Sequence, residues 1–206
     1  MGAAVAVHVP IVAVVLIVLA LLFFGRRQNA KDNDLWQRGA LGLGLQWAPD
    51  PEGYQLGRME GTIEAYSVSV FLAKVQSSSK PSQSWPFTRV RTGLDVSAGA
   101  GLIACGRKMN FNYLAKAEAL PRVSTGDAAF DQAFVVGARD PARAQRLLSS
   151  AVRGALMQAE AGAGGVFVED DSVLSERMGI TRDLGEIGGM LKAQVALARV
   201  LSLAWR

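Results

Sequence analysis

The sequence predicts an α+β fold in which an N-terminal transmembrane helix is followed by a small antiparallel β-sheet packed by two C-terminal amphipathic helices. Three features carry this expectation. An apolar run fills the first two dozen residues, apolar and polar residues alternate through the middle of the chain, and apolar residues at helical spacing recur twice towards its end. With 206 residues there is room for one domain with a sizeable core, and a composition 50% hydrophobic and 19% charged excludes a disordered polyelectrolyte. The organisation read from these patterns is an anchor over residues 1–27, a juxtamembrane linker and short helix over 28–53, and an α+β domain over 54–206.

From Ala3 to Phe24 the sole ionisable side chain is His8. At 1.5 Å per residue this stretch spans roughly 33 Å as a helix, the thickness of a hydrocarbon core. A lone segment in lipid satisfies its backbone only as a helix, so Val9, Ile11, Leu16, Leu19, Phe23 and Phe24 are read as anchor residues facing lipid. Pro10 falls near the end of the run, where a missing amide costs least, and His8 lies close enough to that end to reach the headgroups. A cleaved signal peptide would carry its basic residues before the apolar run and small residues at a cleavage site after it. Here Arg26, Arg27 and Lys31 come after it. The positive-inside rule therefore places the following domain in the cytoplasm, and these three cations are expected to meet anionic lipid headgroups.

Removing those three residues from the 22 basic ones leaves 19 against 18 acidic, a nearly neutral domain. Nucleic acid, which is bound through clustered Lys and Arg, is not an expected partner. With Cys105 and His8 as the single residues of their kinds, disulfide frameworks, Cys/His zinc sites and His-based catalytic pairs are excluded.

Beyond the anchor, residues 28–34 read as linker, and Leu35 to Leu45, with Gly39, Gly42 and Gly44, supports at most a short helix flanked by Trp36 and Trp47. After the turn cluster Pro49–Gly53, period-two patterning predicts strands over 58–63 and 67–75, joined near Glu64-Ala65-Tyr66. Gln76 to Ser84 is a Ser-rich loop, and further strands are expected over 88–94 and 101–106. Gln132 to Gly137 is a strand, and Asp140-Pro141 caps a helix whose buried stripe is Ala144, Leu147, Leu148, Ala151, Val152, Ala155 and Leu156. Gly165 to Glu169 is a short strand. The last helix, Asp183 to Trp205, is apolar over more of its circumference than a surface helix needs, so Val195, Leu197, Val200 and Leu203 are read as a partner surface. Lys192, Arg199 and Arg206 mark its solvated strip.

No catalytic, cofactor-binding or metal-binding residues are assigned, and no cofactor is expected. Asp127 and Asp131 form a tempting carboxylate pair, but Asp127 reads better as a turn cap, with Phe130 and Phe134 entering the core. Glu169-Asp170-Asp171 reads as an acidic turn. Gly42-Leu43-Gly44 and Gly99-Ala100-Gly101 lack the context of a phosphate loop. Trp85, Phe87, Phe111 and Tyr113 are candidate walls of a ligand pocket, or else core residues and loop anchors.

The string Thr125-Gly126-Asp127, Phe130-Asp131, Phe134-Val135-Val136, then Asp140, Ala144 and Leu147-Leu148, resembles a group of uncharacterised bacterial membrane-anchored domains in which an FDxxFxV strand leads into an amphipathic helix. The resemblance implies an α+β domain at the bacterial inner membrane and brings no catalytic residues with it. The expected function is a non-catalytic, single-pass membrane-anchored interaction protein. It would serve as an accessory or scaffolding subunit of a larger inner-membrane complex, with membrane lipids and complex subunits as partners. The alternative is a membrane-tethered sensor domain that binds a lipid or small molecule.

Overall fold

A computed structural model of the chain describes residues 27–49, 56–76 and 83–206. The expected anchor, with Val9, Ile11, Leu16, Leu19, Phe23, Phe24 and Arg26, lies outside the described residues. Within them, the expected small sheet with two helices is corrected to an eight-stranded antiparallel sheet with six helices.

The first correction comes at the expected linker. Residues 27–42 form one helix, α1. It ends where Gly44 turns to φ +71°, with Gly44 N donating to Leu41 O at 3.2 Å and Leu45 N to Ala40 O at 2.8 Å. That pair of bonds satisfies the last carbonyls and needs a glycine at the left-handed position. The glycines that weakened the helical reading are used for packing, since a Cβ on Gly39 would collide with the Leu184 side chain. Trp36 is fully buried and its indole N–H donates to Thr181 O at 3.1 Å, while Asp32 accepts two bonds from Arg182, at 2.7 and 2.8 Å. The segment assigned to a linker is thus built into the core.

The sheet begins with β1 (Gln46–Ala48), β2 (Arg58–Ile63), β3 (Tyr66–Gln76) and β4 (Ser84–Gly93), a meander whose alternation follows the sequence pattern. The two-residue turn at Glu64 and Ala65 has φ of +50° and +73°, the geometry of a tight primed hairpin made without glycine or asparagine. Next come β5 (Ile103–Gly106), α2 (Phe111–Glu118), α3 (Ala128–Ala133) and β6 (Phe134–Gly137). Then α4 (Pro141–Leu147), α5 (Ser150–Ala163), β7 (Gly165–Glu169), β8 (Ser172–Met178) and α6 (Leu184–Trp205) complete the order. Strands lie β1-β2-β3-β4-β8-β7-β5-β6, so β8 is the seam that joins the first meander to the second group.

The helix expected from Asp140 onwards is two helices. Ser149 starts α5 by accepting from Val152 N at 3.4 Å, and Arg153 Nη1 donates to the freed Leu148 carbonyl at 2.7 Å. A serine able to cap a new turn competes with continuation of the old one.

Two apolar cores share the inner face of the sheet. Trp36, Met59, Val68, Val70 and Val90 pack with Ile187, Met190, Leu191 and Val195 of α6. Phe130, Phe134, Val136, Leu148, Leu156 and Val173 pack with Leu197, Leu201 and Trp205 further along the same helix. Val195 and Leu197, expected at a partner surface, are therefore 4% and 2% exposed inside the chain's own cores, Val200 is half-buried against the second, and Leu203 remains exposed. A third cluster lies on the outer face, where α2 covers Cys105, Val135 and Phe167. Among the described residues α6 is a helix long and apolar enough to cross a membrane, but half of its most apolar window is buried in this packing.

Truncating Trp36 to Ala is expected to lower unfolding free energy by about 3–5 kcal/mol, measured by chemical denaturation of the full chain in mild detergent. The Asp32–Arg182 pair adds a pH signature. The Arg182 hydrogen bonds hold the Asp32 carboxyl below its ordinary 3.8, so its contribution is present at neutral pH and is lost as acid protonates the group. Asp32→Asn should lower the melting temperature at neutral pH, and the gap to the unmodified chain should close once the pH falls below that range.

Candidate functional site

The outer face of the sheet is only partly covered, and a cleft of about 520 Å³ opens between α2 and the end of the β3–β4 hairpin. Its lining includes Lys74, Gln76, Ser84, Arg89, Tyr113 and Lys116. Arg89 and Glu176 stand directly opposite each other on β4 and β8, and Glu176 is 3% exposed. Arg89 donates to its Oε2 from Nε at 3.3 Å and from Nη2 at 3.2 Å. The same carboxylate accepts from Asn110 N at 2.5 Å and Asn110 Nδ2 at 2.7 and 2.8 Å. Five donor contacts to one buried carboxylate leave it a positioning group, which fixes Arg89 in the cleft and the start of α2 beside it.

Asn110 also caps α2, accepting from Asn112 N at 3.1 Å, and this sets the helix where Tyr113 meets Phe167 with ring centroids 4.5 Å apart. The Arg89 guanidinium lies 5.1 Å from the Tyr113 ring centroid and Lys116 Nζ lies 5.7 Å from it, both within cation–π range. Burial pushes the Tyr113 hydroxyl above its usual pKa, so it stays protonated and remains a donor. The two cations of this wall are each met by a carboxylate, Arg89 by Glu176 and Lys116 by Glu169 at 3.6 Å, and Lys74 stands at the margin of the cleft.

The loop between β5 and α2 is held from beneath by a second buried carboxylate. Glu160 accepts from Val166 N at 2.6 Å and Lys108 N at 3.2 Å, and burial raises its pKa. Gly106 is required here because a Cβ would meet the Glu160 carboxylate. Next to it Cys105 is fully buried, and burial pushes its thiol up to about 12.

On the inner face a groove of about 530 Å³ lies between the end of α1, the β2–β3 turn and α6. Leu43, Ile63, Leu191 and Val195 contribute apolar lining, and Glu64, Lys192 and Arg199 stand at its margin, with Glu64 ion-paired to Arg199.

The residues singled out from sequence fall as follows. Arg27 and Lys31 are exposed on the first turns of α1. Asp127 caps α3 by accepting from Phe130 N at 3.2 Å and also binds Arg153 Nε at 3.2 Å. Phe130 and Phe134 stack in the core at 4.8 Å. Asp131 binds the Thr125 amide and hydroxyl rather than pairing with Asp127. Asp170, in the β7–β8 turn, ties the Gly99–Gly101 loop to that turn by accepting from Gly101 N at 2.9 Å and Leu102 N at 2.7 Å. Of the four candidate aromatics, Tyr113 lines the cleft, Phe87 is half-buried, and Trp85 and Phe111 are exposed. Sequence reasoning passed over Arg89, Asn110, Lys116 and Glu176. A charged residue inside an alternating strand was the available signal, carried by Arg89 in Ser84–Gly93, whereas Ser172–Met178 does not alternate and Glu176 gave none.

The fold is thus an eight-stranded antiparallel sheet with five of its helices on or beside one face and α2 on the other. No protein family profile and no curated protein sequence matches the chain. Among solved structures it is similar to the mycobacterial trehalose monomycolate transport factor A, TtfA, with a TM-score of 0.52 and 11% sequence identity over 85% of this chain and 94% of that one. At that identity the likeness is one of fold.

Cys105 provides a test of how closed the outer core is. Iodoacetamide at mildly alkaline pH should leave the native thiol unmodified and alkylate it fully in denaturant, read by intact mass. Rapid labelling of the native chain would contradict the packing of α2 over this face.

Proposed function

We propose that the chain is a non-catalytic, membrane-anchored accessory subunit of a larger bacterial inner-membrane assembly, with its folded domain in the cytoplasm. The observation that carries this reading is the junction between anchor and domain. The apolar run ends at Phe24, and from residue 27 the chain is already the helix whose Trp36 and Asp32 are buried in the domain. A domain joined so closely to its anchor is held at a fixed place beside the bilayer, which serves a protein that positions other proteins.

Two further observations support it. The buried carboxylates Asp32, Glu160 and Glu176 are each occupied by structural donors, as a positioning role requires. The structural neighbour is, by its name, a transport factor for trehalose monomycolate, and an accessory role agrees with that name. The groove beside α6 favours a second reading, a tethered domain that binds a lipid or small molecule, since its volume and apolar lining fall in the range of ligand sites.

Extraction from native membranes in mild detergent is the test. Membrane proteins should co-purify in fixed proportion, and mass spectrometry of the same sample would reveal any retained small molecule. A monomer without protein partners under all extraction conditions, or a full-length chain that fractionates as soluble, would refute the assignment.

A further inference from the structure

The end of the sheet that lies beside the start of α1 carries large apolar side chains that the described cores leave exposed. Its position is fixed by a chain of contacts through the loop over residues 179–183. Trp36 Nε1 donates to Thr181 O at 3.1 Å, Thr181 N to Thr88 Oγ1 at 2.8 Å, and Gly179 N to Pro86 O at 2.8 Å. The early turns of α1, the end of β8 and the beginning of β4 therefore share one end of the molecule. The β3–β4 hairpin runs out in the same direction. Asn33 of α1 accepts from Gly57 N at 2.9 Å, and the β2–β3 register, continued by two residues, sets Gly57 opposite Leu72. From that level β3 runs on to Gln76, about 14 Å at strand rise. Arg27 lies six residues before Asn33, about 9 Å back along α1, and the apolar run ends three residues earlier in the sequence. Measured along each element from that common level, the hairpin extends about 14 Å to Gln76 and α1 about 9 Å to Arg27.

The side chains displayed there are apolar and cationic. Trp85 is 48% exposed and Met178 64%, on the same face as Arg89 and Glu176, and Phe111, 65% exposed, adjoins Asn112 and Tyr113 at the cleft. These are three of the six large apolar side chains exposed among the described residues. Lys74 is exposed at the same end, on the other face of the hairpin from Trp85 by strand alternation, Lys116 at the cleft is ion-paired to Glu169, and Arg27 and Lys31 on α1 add two more cations.

We propose that this end of the sheet is a second membrane contact, with Trp85 and Met178 entering the interface of an anionic bilayer while Lys74 and the neighbouring cleft meet its headgroups. The inference rests on the anchored reading, which brings this end of the domain to the lipid. Indole at the headgroup level combines an apolar ring with a polar N–H, and cations just outside that level are drawn to anionic lipid. With the anchor at one point and the hairpin at another, the domain would be fixed in orientation as well as in place.

The test uses the full-length chain in lipid nanodiscs made of phosphatidylcholine alone or with phosphatidylglycerol added, each with and without brominated acyl chains. The Trp85 signal is the fluorescence difference between the unmodified chain and Trp85→Phe, and both variants are checked by circular dichroism. Brominated lipid should quench that signal about twofold in discs containing phosphatidylglycerol, and less in phosphatidylcholine discs or with Lys74→Glu. Retention on the discs through an alkaline wash reports the anchor separately. A chain that is retained while Trp85 stays unquenched, or is quenched equally in both lipids and in Lys74→Glu, overturns the second contact and leaves the anchored reading standing. A chain that is not retained overturns both. Trp85 unquenched in discs but shielded from an aqueous quencher in complexes from native membrane would assign the surface to a protein and overturn the lipid assignment.

Discussion

The fold depends on α6 being buried along most of its length by two different cores. Its first half closes the core formed with α1 and the β2–β4 meander, and its second half closes the core formed with α5, β6 and β8. Gln194 sits where the two meet, fully buried. It accepts from Thr92 Oγ1 at 2.8 Å and donates to Val90 O at 2.8 Å. An amide at that depth costs on the order of 1–3 kcal/mol for each group left unpaired, so α6 is held in one register over β4. The apolar character that makes this helix resemble a membrane span is what two cores demand of a shared element.

Charge is used in the same economical way. Glu160 and Glu176 grip the two ends of the loop between β5 and α2, and through it they place Tyr113 and Lys116 against Arg89. Asp32 does the equivalent for α1, tying it through Arg182 to the start of α6. Each buried carboxylate joins segments far apart in sequence, and each has its charge met by directed donors, without which burial would be prohibitive. The result is a rigid scaffold that holds Arg89, Tyr113 and Lys116 together on the outer face.

The two faces of the sheet are covered unequally. The inner face is closed by five helices, whereas the outer face beyond α2 is left to polar and half-buried residues of β2, β3 and β4. A domain that reached the bilayer by a long flexible linker would sample many orientations, and its open face would have no fixed relation to the lipid. With α1 built into the core, the open face, the cleft and the hairpin end keep a constant relation to Arg27.

What the sequence determined by itself was local. Alternation placed β2, β3 and most of β4, since one face of each strand is buried and a period of two is what that requires. The caps at Asp127 and Asp140 were legible because a carboxylate that accepts from the first turn needs no distant partner. Tertiary structure alone decided the rest. The helix over 28–42 was hidden by glycines and polar residues whose purpose appears only when Leu184 and Arg182 come against them. β8 was hidden because Ser175 and Glu176 read as surface residues, and only its position between β4 and β7 buries them. The cleft is assembled from β3, β4 and α2, and its anchoring carboxylate from β8, so no spacing within one segment encodes it. Local patterns record what each residue's own segment needs, whereas a charge buried by a strand about 90 residues away carries no trace of its partner in the neighbouring sequence.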